Sequence, residues 1–383
     1  MSETTATTAQ VNMSNLRGGI EYASQWKLMW YRFKKHRLAL ISAIVVLLVY
    51  MVTMFAEFFA PTNPEGQADD PASDMRTADF AAHPPQMLHL WDNGSFRPHV
   101  ILKKQDRDPE TLELKFVPFK KVDVGFFVRG SQSYRLLGIE SNLHFFGPKN
   151  PNDRMFLLGA DESGRDLLTR ILFGGRFTMA LGLFGVFLSM VLGIIFGGIS
   201  GYYGGKIDWA IQRIVEFIIS LPTIPIWMGM AAALPKNWPP HIQYFAITVI
   251  ISLIGWTSLA RVVRGRFLAM RTEVFVVAAK LDGCSEGRVI FRHMLPSLAS
   301  HIIAAVTLAI PNMIIAETSL SFLGLGLQPP AMSWGVLLQS AQKINVLDSM
   351  PWLLLPGAAV VISVLALNFM GDGLRDAADP YAH

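Results

Sequence analysis

Stretches of roughly twenty predominantly apolar residues recur along this chain, each long enough to cross a ~30 Å hydrocarbon layer as a helix. Only 16% of its 383 residues are charged and 51% are hydrophobic, whereas soluble domains carry about 25% charged residues. An integral membrane protein follows. The runs predict helices over 38–60, 177–200, 211–234, 244–263, 302–320 and 352–369. The first run lies too far from the start, and is too long, for a secretory signal, so it reads as a retained span. Residues 1–25 are polar and Ser/Thr-rich, and residues 371–383 read as a short polar tail.

Lys27, Arg32, Lys34, Lys35 and Arg37 precede the first span, and basic residues beside a span mark the cytoplasmic side. Six crossings then bring the C-terminus back inside. The most basic short loop, 264–298, falls inside as well, with Arg264, Arg266, Arg271, Lys280, Arg288 and Arg292. Residues 61–157 form a long external section. It opens with Pro61, Pro64, Asp69, Asp70 and Pro71 and continues with short alternating runs: Leu112-Glu113-Leu114-Lys115-Phe116, Val122-Asp123-Val124, Phe126-Phe127-Val128 and Tyr134-Arg135-Leu136-Leu137. These predict a small β subdomain. Its lysines and arginines do not contradict an outside location, because sections this long are largely exempt from the charge rule. Trp209, Trp238 and Trp352 fall near predicted helix ends, where they either sit at headgroup level or pack between helices. No inverted repeat of the secondary-transporter kind is visible.

Enzyme signatures are missing. There is no phosphate-binding Gly-rich loop, no nucleophile elbow and no His-Glu-x-x-His. Histidines such as His83, His89, His99, His144, His293 and His301 are scattered. Cys284 is the single cysteine, which precludes a disulfide within this sequence and a cysteine metal cage. The net charge of +4 sits at membrane edges rather than on a basic, aromatic face, so a nucleic-acid partner is not expected. Within the spans, Arg213 and Glu216 are spaced as an i,i+3 pair. Glu317, with Asn312, Thr318 and Ser319 nearby, is a candidate for lining a polar path, since an ionisable residue in a span is costly; interface placement is the bland alternative.

The inner loop carries Val277-Ala278-Ala279-Lys280-Leu281-Asp282-Gly283 and, twelve residues beyond Gly283, Leu295-Pro296. Small residues admit a second backbone, Gly283 can turn the chain, and Pro296 bounds a helix. Two short helices with a corner between them are expected, in a loop whose length suits a docking role.

This pattern resembles the EAA loop of ABC-transporter permeases, with Val277 where the name-giving glutamate stands. Three further segments are similar to the C-type permeases of the oligopeptide/dipeptide/nickel group. One is Leu158-Gly159-Ala160-Asp161-Glu162-Ser163-Gly164-Arg165-Asp166-Leu167-Leu168-Thr169-Arg170. The next is Gly201-Tyr202-Tyr203-Gly204-Gly205-Lys206-Ile207-Asp208. The third is residues 316–326 with Pro329, Pro330, Ser333, Trp334 and Gly335. Together they cover the first helix and residues 158–383; the section 61–157 is longer than in usual members.

The resemblance implies an all-α membrane protein with the six-helix, MetI-like fold of type I ABC importers and a small β-rich insertion between helices one and two. The corresponding division is 1–37, 38–60, 61–157 and a core over 158–383. It implies a non-enzymatic permease that pairs with a second permease. Two cytoplasmic ATPases bind ATP and Mg; no cofactor belongs to this chain. An extracytoplasmic binding protein delivers the cargo, and the whole sits in a bacterial or archaeal plasma membrane. Ala278, Ala279 and Gly283 would allow close docking on an ATPase. Arg288 and Arg292 would pair with its acidic groups, and Leu295-Pro296 would fix the entry into helix five. The segment 164–176 would lie along the outer membrane face, with Leu167, Leu168, Ile171 and Leu172 toward lipid or core. Peptides are the expected cargo, with oligosaccharides or nickel complexes as alternatives. Rival classes are an ion-coupled secondary transporter and a membrane protein whose external subdomain binds a ligand.

Overall fold

The structure, a computed structural model, describes residues 25–66, 77–92, 94–107, 114–136, 138–235 and 237–378. Asp69, Asp70, Pro71, Leu112, Glu113, Leu137 and the two chain ends expected to be polar, 1–24 and 379–383, lie outside the described residues. Helix α1 (Gln25–Lys35) leads into α2 (Arg37–Met54) and the single turn α3 (Ala56–Phe59). A four-stranded antiparallel sheet follows: β1 (His89–Asp92), β2 (Ser95–Arg107), β3 (Leu114–Leu136) and β4 (Ile139–Pro148), paired in that order. The remaining long helices are α4 (Leu167–Tyr203), α5 (Gly205–Ser220), α6 (Thr223–Ala232) and α7 (Pro240–Met270). They are followed by α8 (Val274–Leu281), α9 (Ala299–Phe322), α10 (Trp334–Gln339), α11 (Ile344–Ser349) and α12 (Leu355–Ala378).

Among the described residues, five helices are long and apolar enough to cross a membrane, and the pair α5–α6, bent by 86°, is a sixth candidate. The third span was expected as one helix over 211–234. It starts earlier and is broken at Leu221-Pro222, because Pro222 disfavours helical backbone at the residue before it. The neighbours settle that the bent pair crosses. Tyr244 Oη donates to Phe177 O at 3.1 Å, and Ser252 Oγ to Gly185 O at 2.9 Å. Gly193 then faces Leu259, and Gly201 faces Phe267. The contacts advance together along both helices, so α4 and α7 are parallel. The chain between two parallel helices must return through the bundle, and α5–α6 is that return. Against α4, α9 runs antiparallel, pairing Thr178 with Glu317 and Gly182 with Ile314. Likewise Gly373 of α12 meets Ala39 of α2. Both ends of the described bundle therefore lie at the end where α4 and α7 finish, and the sheet lies at the opposite end.

In α7 and α9, 50% of the best apolar window is buried, against 22% in α2. The centre is thus α4, α7 and α9, with α2 at the edge. Gly193, Gly197 and Gly201 form a ladder on α4 facing α7. A Cβ on Gly197 would stand 2.4 Å from Ala260 O, so only glycine lets these backbones approach so closely.

Two boundaries differ from hydropathy. Helix two begins at Leu167, not 177, so the segment 164–176 is largely the first turns of the same helix, with Leu167 buried and Leu168, Ile171 and Leu172 half-buried. Charged side chains there are neutralised by tertiary partners: Arg170 by Asp161, and Arg176 by Glu57. At the other end of the chain, the expected polar tail is helical to Ala378, since Gly371 and Gly373 pack against Leu308 and Ala39. In the sheet, alternation places Val100, Leu102, Val122 and Val124 inward, over Phe80, Met155 and Phe156. Several of its cations have local acids: Lys104 pairs with Asp79 at 3.1 Å and Lys120 with Asp153 at 2.6 Å.

Candidate functional site

The corner expected at Gly283 has a definite hydrogen-bond logic. Helix α8 ends with Cys284 N donating to Ala279 O at 3.1 Å and Gly283 N donating to Lys280 O at 3.1 Å. These two bonds make a Schellman cap. The residue between must be left-handed, and Gly283 has φ +75°. A Cβ there would meet no atom within 4 Å. Glycine is needed for backbone conformation, not for space.

Helix α8 is two-faced. Val276 and Ala279 are buried among Tyr202, Phe267, Val289 and Met294. Val274, Val277, Ala278 and Leu281, at i, i+3, i+4 and i+7, are exposed; Val274 and Leu281 each reach 83%. An exposed apolar stripe on an eight-residue helix is the feature sequence reading missed, because the periodicity of so short a helix does not say which face is inward. Of the expected docking residues, Ala278 and Gly283 lie on the outer surface. Ala279 instead closes the internal packing of α8. Arg288 and Arg292 are exposed on the second limb, which runs through Glu286–Arg288, a π-helical turn Val289–Met294 and Leu295–Ser297. The wider turn, with Leu295 N bonded to Ile290 O, accommodates Pro296, which has no N–H to donate. Leu295 is half-buried, Pro296 exposed.

The segment 201–208 braces this corner. Asp208 accepts two bonds from Arg264, the Nη2 bond at 2.6 Å. Lys280 Nζ lies 4.7 Å from the Tyr202 ring centre, and Tyr203 Oη donates to Glu286 at 2.8 Å. Tyr202 and Tyr203 thereby tie the end of α4 to both limbs, while Asp208 ties the start of α5 to α7.

The four residues proposed for a polar path are not together. Glu317 is fully buried and accepts from Ser321 Oγ at 2.8 Å and Thr178 Oγ1 at 3.3 Å. Thr178 Oγ1 in turn accepts from Trp334 N at 3.1 Å. Glu317 is therefore a knot joining α4, α9 and α10. Thr318 is buried behind it and Ser319 is half-buried. Asn312 is exposed and borders a cavity of about 240 Å³ between α4, α6, α7 and α9. Ser189, Ser258 and Trp227 line the same cavity, and the buried Trp227 Nε1 has no partner among the described residues. Trp227 gave no sequence signal, since its place depends on the break before α6. The expected i,i+3 pair Arg213–Glu216 exists at 2.8 Å, on an exposed surface. Trp352 packs rather than floats: its Nε1 donates to Ala160 O at 2.9 Å.

At the sheet end, Asp161 accepts from Ser163 N at 2.8 Å, Arg165 N at 3.0 Å and Arg165 Nε at 2.8 Å, and also from Arg170. Asp166 caps α4 by accepting from Thr169 N at 2.9 Å; burial pushes its carboxyl up to about 6.

The sequence model of the family described as "Binding-protein-dependent transport system inner membrane component" matches residues 189–382. The "N-terminal TM domain of oligopeptide transport permease C" matches residues 24–85. The chain belongs to this transport family. The oligopeptide transport system permease protein OppC of Haemophilus influenzae is 39% identical over 58% of this chain and 69% of its own. The dipeptide transport system permease protein DppC of Alkalihalophilus pseudofirmus is 36% identical over 61% and 77%. OppC of Bacillus subtilis is 32% identical over 63% and 76%. A solved chain of the MetNI methionine ABC transporter superposes at a TM-score of 0.43, with 18% identity, over 55% of this chain and 96% of that one. This is a multi-pass inner-membrane permease subunit with the helical core of its family and a small antiparallel sheet inserted after the first span. It is not itself catalytic: ATP is handled by partner ATPases, and a binding protein serves the system.

Proposed function

We propose that this chain is one of two permeases in a bacterial or archaeal importer for peptides, and that two cytoplasmic ATPases drive it through the Gly283 corner. The observation that carries the coupling role is the exposed stripe Val274, Val277, Ala278 and Leu281. An apolar face of this kind, left open beside the basic Arg288 and Arg292, suits a hydrophobic groove with an acidic rim on a partner. The relatives named as oligopeptide and dipeptide permeases support the peptide cargo. Lys27, Arg32, Lys34, Lys35 and Arg37 stand at the same end of the bundle as the corner. The charge rule makes that end, with both chain termini, cytoplasmic. The sheet is then extracytoplasmic, where the binding protein docks.

ATP binding closes the ATPase pair and draws the corners of the two permeases together. The braces from Asp208 and Tyr203 make α4, α5 and α7 move with the corner, so a rigid-body switch between two packings opens the path. Asn312, Ser189, Ser258 and the unpaired Trp227 N–H supply that path with hydrogen-bonding groups for a peptide backbone. The double substitution Val277→Asp with Leu281→Asp tests the docking. ATPase co-purification and peptide uptake are expected to fall together while the permease still inserts. Unchanged co-purification and uptake would remove the assignment.

A further inference from the structure

A second apolar surface lies at the opposite end, where the sheet meets the first span. Phe126 and Phe127 of β3 are 64% and 61% exposed. Successive strand residues normally point to opposite faces, yet both rings lie against Phe145 of β4, at 5.7 and 5.6 Å between centroids. The cause is a local irregularity: Phe127 has φ +53°, which for a bulky residue is an unfavourable conformation. A strained backbone that turns two phenylalanines outward together, instead of burying one, needs a compensating environment.

The neighbours of the patch say what that environment is. Phe145 also packs on Phe58 and Phe59 of α3, at 5.9 and 5.5 Å. Phe58 prolongs an exposed stripe of α2: Leu47 (68%), Met51 (41%) and Met54 (61%) precede it at helical spacing. The outward face of the first span thus runs without a polar break onto the sheet. Where the span ends, Arg176 donates to Met54 O at 2.8 Å and pairs with Glu57, marking the level at which charge becomes affordable. Arg129, two residues beyond Phe127, is also exposed.

We propose that Phe58, Phe126, Phe127 and Phe145 form a lipid-anchoring patch that seats the β3–β4 hairpin in the headgroup and upper acyl layer of the adjacent leaflet. The occupant is phospholipid, because the patch continues the apolar face of a peripheral membrane span, and aromatic rings favour that interface. The inserted sheet is then held at a fixed tilt to the bundle instead of standing free on its linkers. This inference needs only that α2 crosses the membrane, and it holds whatever cargo or ATPase contact the transporter proves to have.

The test uses the assembled transporter in nanodiscs of phosphatidylethanolamine and phosphatidylglycerol, with Cys284→Ala and a nitroxide label at Phe127→Cys. Labels at Leu47→Cys and Arg135→Cys serve as the acyl and aqueous references. Relaxation by oxygen relative to a water-soluble nickel chelate is expected to be several-fold higher at 127 than at 135, approaching the value at 47. A chelate-dominated label, as at 135, would overturn the proposal in favour of an aqueous surface. A label shielded from both reagents would overturn it in favour of a protein partner. Phe126→Cys, measured in the same way, guards against a local perturbation at the strained residue.

Discussion

Gly283 illustrates how a residue's role is decided by backbone conformation. Its left-handed φ and the open space around it predict that Gly283→Ala costs about 1–2 kcal/mol of local stability. Gly283→Asn should be milder, because asparagine visits that region more readily. Proteolysis of the corner in the purified complex ranks the variants, and equal susceptibility of both to wild type would refute the conformational account. Glu317 makes a different case. Glu317→Gln keeps an acceptor for Ser321 and Thr178, so the complex should retain nearly its normal melting temperature. Glu317→Leu removes the acceptor for both hydroxyl protons, at about 1–3 kcal/mol each, and a large drop in melting temperature is expected.

His83 gives a pH dependence with a clear sign. Its Nε2 accepts from Lys103 N at 3.2 Å and its Nδ1 faces Pro84 O at 2.6 Å, which fixes the neutral ring. Burial lowers its pKa from 6.5 to about 4. Between those values the unfolded state binds more protons than the folded one, so this contribution is present above pH 6.5 and is lost as pH falls toward 4. Asp166 acts oppositely. With its carboxyl raised to about 6, the folded state holds the extra proton, so its contribution is favourable at low pH and disappears as pH rises through 6. His83→Gln should therefore weaken acid destabilisation, and Asp166→Asn should steepen it, both read from melting temperature against pH.

At the scale of elements, the glycine ladder of α4 sets the distance to α7. Gly197→Val would drive a side chain into the Ala260 carbonyl. Overpacking of this kind costs about 1–3 kcal/mol or more. Loss of thermal stability, with loosening of the Tyr203–Glu286 tie between α4 and the corner, is the expected outcome, read from melting temperature. Hydropathy located this helix but placed its start at 177, past the charged Arg170 and Arg176. Their partners Asp161 and Glu57 come from distant sequence, which a local window cannot pair. The corner at Gly283 was legible because a Gly-containing helix stop is a local signal. The outward face of α8 and the place of Trp227 were not, since both depend on which neighbour covers them.

For the whole molecule, the parallel course of α4 and α7 makes the bent α5–α6 pair a crossing and predicts sidedness. Membrane-impermeant thiol labelling at Trp26→Cys and Ser285→Cys should occur from one side, and at Ser95→Cys from the other. Labelling of positions 26 and 285 from opposite sides would overturn the six-crossing topology. The exposed apolar face of α2, including Leu47, calls for lipid, and that of α5, including Trp209 and Phe217, calls for lipid or a second permease beside this bundle.

Length and apolarity of the runs determined by themselves that this chain enters a membrane, and Gly283 marked where its inner loop turns, because both are local properties; that the bent α5–α6 pair is a crossing was decided by the parallel packing of α4 and α7. Family-like segments 158–170, 201–208 and 316–335 were equally readable as strings. Only the tertiary structure decided their contacts: Asp161 staples the start of α4, Asp208 joins α5 to α7, and Glu317 knots three helices away from the cavity that Asn312 borders. Each outcome rests on a partner far away in sequence, and burial and hydrogen bonding are properties of the pair.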